Sequence, residues 1–178
     1  NFRLYIRNAT IEKIKKSYEA VIQRHDILRT GFSVEDTNEL IQIVWKNVES
    51  SFKFIDLAKR KLSKKQVGKY VDSYKKEDIS TGFRLNEKSL IRLALIHLGN
   101  DTYEFIWSTH HIIMDGWCIS ILINEFFQIL TALNNGYGKV LPKATPYVEY
   151  IKWLENIDKK QSLDYWKGYL KGYNQKAI

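Results

Sequence analysis

Two apolar extended segments in the middle of the chain constrain its fold more than any other feature. Residues 89–98 and 102–109 have strand length and composition, and the turn sequence Gly99-Asn100-Asp101 joins them. We therefore expect the two strands to be antiparallel neighbours in a central sheet. An apolar helix is predicted to follow over residues 115–133. Because this helix is apolar nearly all round, we expect it to be largely buried.

Other helices and strands are mixed along the chain without a strict alternating repeat. Thr10 can cap a helix over residues 10–28, with Glu12 favourably placed in its first turn. The remaining predicted elements are a hairpin with strands 32–35 and 40–45 joined through 36–38, a strand at 52–55, and helices at 63–77, 147–156 and 162–170. This mixture favours an α/β fold with a mixed or antiparallel sheet.

Length and composition predict one ordinary folded domain. The 178 residues suffice for a sizeable core, and the hydrophobic share of 44% is typical of globular proteins. Residues 134–146 contain both prolines and are predicted to form a crossover loop rather than a domain boundary. The sequence begins at Asn1 within a predicted strand, so we expect a piece of a longer protein. We take residues 1–178 as a single unit.

The charge of the chain bears on its binding partners, and its cysteine content bears on its cellular location. The net charge is +8, and lysine is densest over residues 59–76. This region can be a solvated helix face, a docking surface for an acidic protein, or a nucleic-acid site. The last is not expected, because spaced arginines and exposed aromatic residues do not combine there. A single cysteine, no signal peptide and no stretch near the roughly 18 apolar residues of a membrane span predict a cytoplasmic protein away from membranes.

The sequence His-His-Ile-Ile-Met-Asp-Gly, residues 110–116, carries the most chemistry. It lies between the second strand and the apolar helix, where a scaffold can present a reactive side chain. Adjacent histidines on extended chain point to opposite faces, so only one of His110 and His111 can face a given site. Histidine can act as a general base near neutral pH. Asp115 can orient His111 or can brace the turn by pairing with an arginine, and Gly116 permits close backbone approach.

The other histidines and the cysteine are predicted to be packing residues rather than catalytic ones. His25 and His97 are interpreted as satisfied core residues, and Cys118 as a packing residue at the buried helix start. A metal site is not expected, since the sequence has no His-Glu-x-x-His pattern and no cysteine pair. A serine or cysteine nucleophile with its own base is also lacking. Direct transfer between two bound substrates therefore fits better than a covalent acyl-enzyme.

The motif at residues 110–116 resembles the signature of condensation domains of nonribosomal peptide synthetases. Residues 24–32, Arg-His-Asp-Ile-Leu-Arg-Thr-Gly-Phe, resemble the family's Arg-His-Glu-x-Leu-Arg-Thr-x-Phe motif, with Asp26 in place of glutamate. Residues 147–153 resemble the motif that follows the crossover, and Tyr165-Trp166 stands where a Tyr-Trp pair is expected. The order and spacing agree over nearly the whole chain.

This resemblance implies a fold and a set of site residues. The fold would be a two-layer α/β sandwich similar to chloramphenicol acetyltransferase, with a mixed sheet packed with helices. Residues 1–178 would be the N-terminal lobe, with the second lobe and the most N-terminal motif absent. His111 and Gly116 would be the catalytic residues, and His110 and Asp115 would support them. The arginine that holds Asp115 would be one of three candidates: Arg24, Arg29 and Arg92.

The resemblance also implies the reaction and the partners. The amine of one carrier-bound aminoacyl group would attack the thioester of another and form an amide bond, with His111 removing a proton or orienting the amine. The lobe itself would bind no cofactor, since each substrate is carried on the 4′-phosphopantetheine arm of a carrier domain. Partners would be donor and acceptor carrier domains, the second lobe and an adenylation domain. Trp117 and Cys118 resemble the subgroup that joins two L-configured units.

Three other functions remain to be weighed against this one. A related acyltransferase would use a coenzyme A thioester, although residues 24–32 and 147–153 argue against it. A docking or recruitment module could keep the fold without activity, although His111, Asp115 and Gly116 are intact. A basic nucleic-acid binder would show steeply salt-dependent binding. We expect the lobe to fold but to have little or no activity alone, and an exposed apolar interface could make it self-associate.

Overall fold

The computed structural model describes residues 1–7, 9–33, 41–138 and 141–173 of the chain. These residues form two compact units, Asn1–Ala144 and Thr145–Ile178. The segment 134–146 was predicted to be a crossover loop within a single unit. The division between the two units lies near the end of this segment. The helices after it contain no buried residue, and the assignment of residues 1–178 to one lobe stays a prediction.

The central sheet of the first unit contains four strands. They are β1 (Phe2–Tyr5), β4 (Phe52–Asp56), β5 (Ile91–Gly99) and β6 (Thr102–Thr109), in the order β1-β6-β5-β4. The pairs β1–β6 and β5–β6 are antiparallel, whereas β4–β5 is parallel. The sheet is therefore mixed, and the predicted antiparallel neighbours are confirmed. Their turn is tight because Gly99, Asn100 and Asp101 all have positive φ.

A second, two-stranded sheet confirms the strands of the predicted hairpin with shifted ends. Strands β2 (Thr30–Ser33) and β3 (Ile41–Val44) are antiparallel. The predicted connection at 36–38 lies outside the described residues. A Cβ atom on Gly31 would lie 2.5 Å from the backbone oxygen of Glu87. Glycine at position 31 therefore permits the backbone of β2 to pass this close to the segment before β5.

Local signals in the sequence account for the helix starts. The long helices are α1 (Ile11–Arg24), α2 (Lys64–Thr81) and α3 (Gly116–Asn134). Thr10 caps α1 as predicted, and Ser63 caps α2 in a reciprocal pair with Gln66. The end predicted for α1 at residue 28 is wrong. His25 is extended there (φ −109°, ψ 110°), and a short 3₁₀ helix (Asp26–Arg29) follows.

Helices cover both faces of the central sheet because β5 and β6 are apolar on both sides. Leu93 and Leu95 belong to the core formed with α1 and α3, whereas Ala94 and Ile96 belong to the core formed with α2. The largest fully buried side chains of the first core are Tyr18, Phe105 and Phe126. The α/β class with a mixed sheet packed with helices is confirmed. α2 adds a layer on the second face of the expected sandwich.

Helix α3 is buried on one side only, so its predicted burial is wrong. Leu122, Phe126 and Leu130 are buried, but Trp117 is 84% exposed and Ile121 is 55% exposed. The side of α3 turned away from the core therefore presents apolar side chains to solvent. α3 is also long and apolar enough to cross a membrane, by length and composition alone. This corrects the expectation that no segment approaches such a span, although the core helix of a globular protein can meet the same test.

The second unit consists of two helices, α4 (Tyr147–Glu155) and α5 (Lys159–Tyr169). Both predicted aromatic helices are thus confirmed, α5 with an earlier start. Neither helix contains a buried residue. Aromatic rings stack along the surface of each helix, as Tyr150 does on Trp153 and Tyr165 on Tyr169.

Candidate active site

The motif at residues 110–116 forms the turn that connects β6 to α3. β6 ends at Thr109, and α3 begins at Gly116. The backbone N–H of His110 donates to the carbonyl of Leu90 at 3.0 Å, which ties the start of the turn to the residue before β5. The N–H of Ile113 donates to the carbonyl of His110 at 3.2 Å, and Ile113 is buried in the core. The turn is therefore fixed to the sheet at its start and anchored in the core through Ile113.

The two histidines of the motif have different environments. Nδ1 of His110 accepts a hydrogen bond from the N–H of Ile112 at 3.1 Å, and its half-buried ring meets the ring of Phe83 edge-on. The side chain of His111 is exposed. One histidine packs and the other faces outward, as expected. The two side chains point in different directions because of the turn and not because of an extended backbone, since both residues follow the end of β6.

Asp115 is the N-cap of α3. Its carboxylate accepts hydrogen bonds from the N–H groups of Trp117 at 3.0 Å and Cys118 at 3.3 Å. Hydrogen bonds from the thiol and the N–H of Cys118 lower the pKa of Asp115 from its usual value, and His111 contributes in the same direction. Asp115 thus starts the helix that follows the turn.

The expected pairing of Asp115 with an arginine is wrong in the described part of the chain. Each of the three candidate arginines binds another carboxylate. The pairs are Arg24 with Glu125, Arg29 with Asp26, and Arg92 with Asp78. Sequence spacing could not reveal the partners of Arg24 and Arg92, because Glu125 and Asp78 lie on elements that only the fold brings close to them. Asp26, by contrast, lies three residues before Arg29 in the same short helix. Asp115 braces the turn through helix capping instead.

We expect Asp115→Asn to lower thermal stability at neutral pH but not in acid. Asparagine also caps helices well, so this variant removes mainly the charge. Because the folded pKa of Asp115 is depressed, its charge stabilises the fold above the unfolded value of 3.8. That stabilisation disappears as pH falls through the lower folded pKa. Thermal unfolding of both proteins from pH 7 to pH 2 measures the difference.

Asp72→Asn serves as the control for that experiment, because Asp72 is an exposed carboxylate on α2 and caps no helix. A difference between wild type and Asp115→Asn that stays constant down to pH 2 would contradict the role of the charge.

The backbone around Gly116 is open. A Cβ atom at this position would meet nothing within 4 Å in the described residues. The packing of this chain therefore does not itself require glycine there. Trp117 beside it is exposed, whereas Cys118 is half-buried. The side chain of Cys118 is thus only partly packed at the helix start.

A second polar cluster joins the motif at residues 24–32 to α3. Nε of Arg24 and Nε2 of His25 lie 3.1 Å and 2.5 Å from the same carboxylate oxygen of Glu125. All three side chains are mostly buried. Arg24 also donates to the carbonyl of Pro142. His25 is satisfied, as expected, but by an acidic partner that sequence reasoning missed.

His97 has its own partners on the central sheet, outside the motif. Nδ1 of His97 is 3.1 Å from Oδ1 of Asp56, and its ring stacks on Tyr103 with centroids 4.9 Å apart. This agrees with its interpretation as a satisfied residue. Within the described ranges, histidine, cysteine, aspartate and glutamate side chains do not gather in groups of three that could hold a metal ion.

Sequence reasoning missed three residues near the functional motifs: Asp78, Phe83 and Glu125. The pair Arg24-His25 did contain a signal for Glu125, since two adjacent cationic or hydrogen-bonding groups in a helical region need an acceptor when buried. Asp78 and Phe83 carried no comparable signal, because nothing in their local sequence relates them to His110.

Comparison with known proteins identifies the family. The family model described as "Condensation domain" matches residues 4–177. The chain belongs to the condensation domain family. It is 37% identical over 164 residues to bacitracin synthase 1 of Bacillus licheniformis, which covers 92% of this chain and 3% of that protein. It is 36% identical over 165 residues to gramicidin S synthase 2 of Brevibacillus brevis, covering 93% of this chain and 4% of that protein.

Solved structures support the fold at lower sequence identity. The condensation fold of this chain matches SgcC5 from Streptomyces globisporus with a TM-score of 0.78 at 18% identity, covering 96% of this chain and 38% of that one. The starter condensation domain of rhizomide synthetase matches with a TM-score of 0.77 at 18% identity, covering 94% and 41%. The chain thus spans less than half of these structures and a few per cent of the synthetases.

Proposed function

We propose that this chain is the N-terminal lobe of a condensation domain that forms amide bonds in a nonribosomal peptide synthetase. The observation that carries the proposal is the exposed His111 on a turn fixed to the sheet on one side and capped into α3 on the other. A rigid turn with an accessible imidazole is suited to proton transfer at a bound substrate. The family membership and the intact motif both support this assignment.

The reaction follows from the chemistry of the two substrates. The acceptor's amine nitrogen attacks the carbonyl carbon of the donor thioester, so that a C–N bond forms and the C–S bond breaks. The nitrogen loses a proton, and the departing sulfur gains one. His111 can take the proton from the amine or can orient the amine and stabilise the charged intermediate. The open backbone at Gly116 leaves room for the reacting carbonyl.

The proposed partners and location follow from the same role. Carrier domains would present both substrates on 4′-phosphopantetheine arms, and the lobe would bind no cofactor of its own. The second lobe would complete the site, an adenylation domain would load the acceptor, and the whole would act in the cytoplasm. Trp117 and Cys118 support the joining of two L-configured units. Nucleic acid and membranes have no part in this proposal.

We expect the isolated 178-residue chain to form no amide product. In the proposed domain the second lobe would supply the other wall of the site, and the apolar side of α3 that includes Trp117 and Ile121 is exposed. The test supplies loaded donor and acceptor carriers to the chain alone and to the intact synthetase that contains it, and product is detected by mass spectrometry. If only the intact synthetase forms product, the proposal is supported. If the isolated chain also forms product, the claim that its site is incomplete is contradicted.

The same assay separates the other candidate functions. A donor offered as a coenzyme A thioester should give no product with the intact protein. Transfer from coenzyme A but not from a carrier would assign a related acyltransferase. No transfer from either donor would assign a docking module.

A further inference from the structure

Arg92 and Asp78 form a mostly buried ion pair at the end of the sheet that leads into the motif. Nε of Arg92 on β5 lies 3.0 Å from Oδ1 of Asp78 on α2, and the side chains are 21% and 12% exposed. Ser108 on β6 stands directly opposite Arg92 and donates its hydroxyl to the other oxygen of Asp78. The pair therefore joins α2 to both central strands close to where β6 ends.

Arg92 also fixes the last turn of α2. Its terminal nitrogens donate to the carbonyl of Asp78 at 3.0 Å and to the carbonyl of Gly82 at 2.5 Å. Gly82 caps α2 with φ 60°, a conformation that favours glycine. These bonds satisfy helix-end carbonyls and set the direction in which the chain leaves α2.

Phe83, the residue that follows Gly82, connects Arg92 to the motif. The guanidinium carbon of Arg92 lies 3.9 Å from the ring centroid of Phe83. The ring of Phe83 in turn meets the ring of His110 edge-on, with centroids 6.4 Å apart and an interplanar angle of 87°. The guanidinium, the phenyl ring and the imidazole are thus connected by two successive contacts, one over the face of Phe83 and one edge-on.

The orientation of His110 matters for the shape of the turn. Nδ1 of His110 accepts from the N–H of Ile112, so this bond requires the ring to stay in one orientation with the proton on Nε2. Rotation of the ring would release the N–H of Ile112 and loosen the backbone on both sides of His111. The contact with Phe83 restrains that rotation.

We propose that Arg92 is a positioning residue, which acts through Phe83 and His110 to hold the turn that presents His111. Arg92 touches no reacting atom in this role. The inference rests on the proposed function and deepens it, because it assigns to Arg92 a task other than the expected pairing with Asp115.

Two variants test the contacts by nuclear magnetic resonance of the imidazole nitrogens. Arg92→Lys keeps a cation beside Asp78 but loses the planar group over Phe83. Phe83→Leu keeps an apolar side chain and leaves the ion pair intact. We expect His110 to show the Nε2–H tautomer in wild type and averaged nitrogen shifts in both variants. Arg84→Lys is the matched control, because Arg84 is 86% exposed and pairs with nearby Glu87.

A second measurement asks whether the positioning affects the reaction in the intact synthetase. We expect kcat to fall about tenfold in Arg92→Lys and Phe83→Leu, within the roughly 10²-fold that a 1 Å displacement can cost. The KM for the loaded acceptor carrier should stay within about twofold, since the substrate contacts themselves are unchanged. A merely structural role would lower the melting temperature and the active fraction without changing the nitrogen shifts of His110.

The outcomes distinguish this inference from the proposed function. Unchanged nitrogen shifts in folded Phe83→Leu would overturn the positioning role. Changed shifts with unchanged kcat would also overturn it, while loss of activity in a His111 variant would leave the proposed function standing. Full activity without His111 would overturn both.

Discussion

Replacing His111 with alanine in the intact synthetase is expected to reduce the rate of amide formation by about 10²–10⁴-fold, the contribution typical of a positioned acid–base group. The side chain of His111 is exposed, and its removal leaves no unpaired buried group. The melting temperature should therefore remain close to that of wild type. Single-turnover transfer between loaded carriers measures the chemical step directly.

His97→Gln provides the matched control for the His111 variant. His97 lies on β5 toward the end opposite the motif and is held by Asp56 and Tyr103. Its replacement should leave kcat unchanged within about twofold, because it approaches no reacting group. Activity within a few-fold of wild type in His111→Ala would reject both the base role and the orienting role.

A pH–rate profile separates the two roles of His111. His111→Gln can still form hydrogen bonds but cannot accept a proton at working pH. If His111 is the base, the acid limb of the wild-type profile depends on its titration and should disappear in His111→Gln. If His111 only orients the amine, that limb should persist at a lower rate.

Replacing Glu125 with alanine is expected to reduce the free energy of unfolding by about 3 kcal/mol, as for other broken buried ion pairs. Its carboxylate is 12% exposed and neutralises Arg24, which is 16% exposed, while also meeting His25. Without Glu125 the guanidinium of Arg24 would remain mostly buried with only the carbonyl of Pro142 as its polar partner among the described contacts. Urea unfolding of the 178-residue chain measures the loss.

Two comparisons sharpen the Glu125 experiment. Glu125→Gln should cost less, because its amide oxygen can still accept from Arg24. Asp72→Ala breaks the Lys75–Asp72 pair at the surface, where Asp72 is 69% exposed, and should change the free energy of unfolding by no more than about 0.5 kcal/mol. Equal effects of Glu125→Ala and Asp72→Ala would contradict a buried, charge-based role for Glu125.

Local patterns predicted the elements well because strand and helix signals are encoded within short windows. The turn at Gly99-Asn100-Asp101 and the cap at Thr10 are local features, and both are confirmed. The exposed side of α3 could not be predicted, because composition shows that a helix is apolar but not what covers it. The parallel pairing of β4 with β5 likewise depends on the crossover through α2.

The candidate site likewise has a part that the sequence predicted and a part that it did not. The motif residues 110–116 were predicted to lie between a strand and a helix, and the structure places them there. The partners of Arg24 and Arg92 were not predictable, since Glu125 lies 101 residues from Arg24 and Asp78 lies on a different element from Arg92. Complementary charge alone does not select among many carboxylates. Only the packing of helices on the sheet brings these pairs together.

The position of β1 at the edge of the central sheet has a consequence for biosynthesis. Phe2 pairs with Phe105, about 100 residues later in the chain. At roughly 5–20 residues per second, a ribosome needs about 5–20 seconds to make the intervening segment. During that interval the apolar residues of β1 and α1 have no sheet to join. Nascent chains stalled before β6 should therefore bind chaperones strongly, and chains stalled well beyond α3 should resist protease.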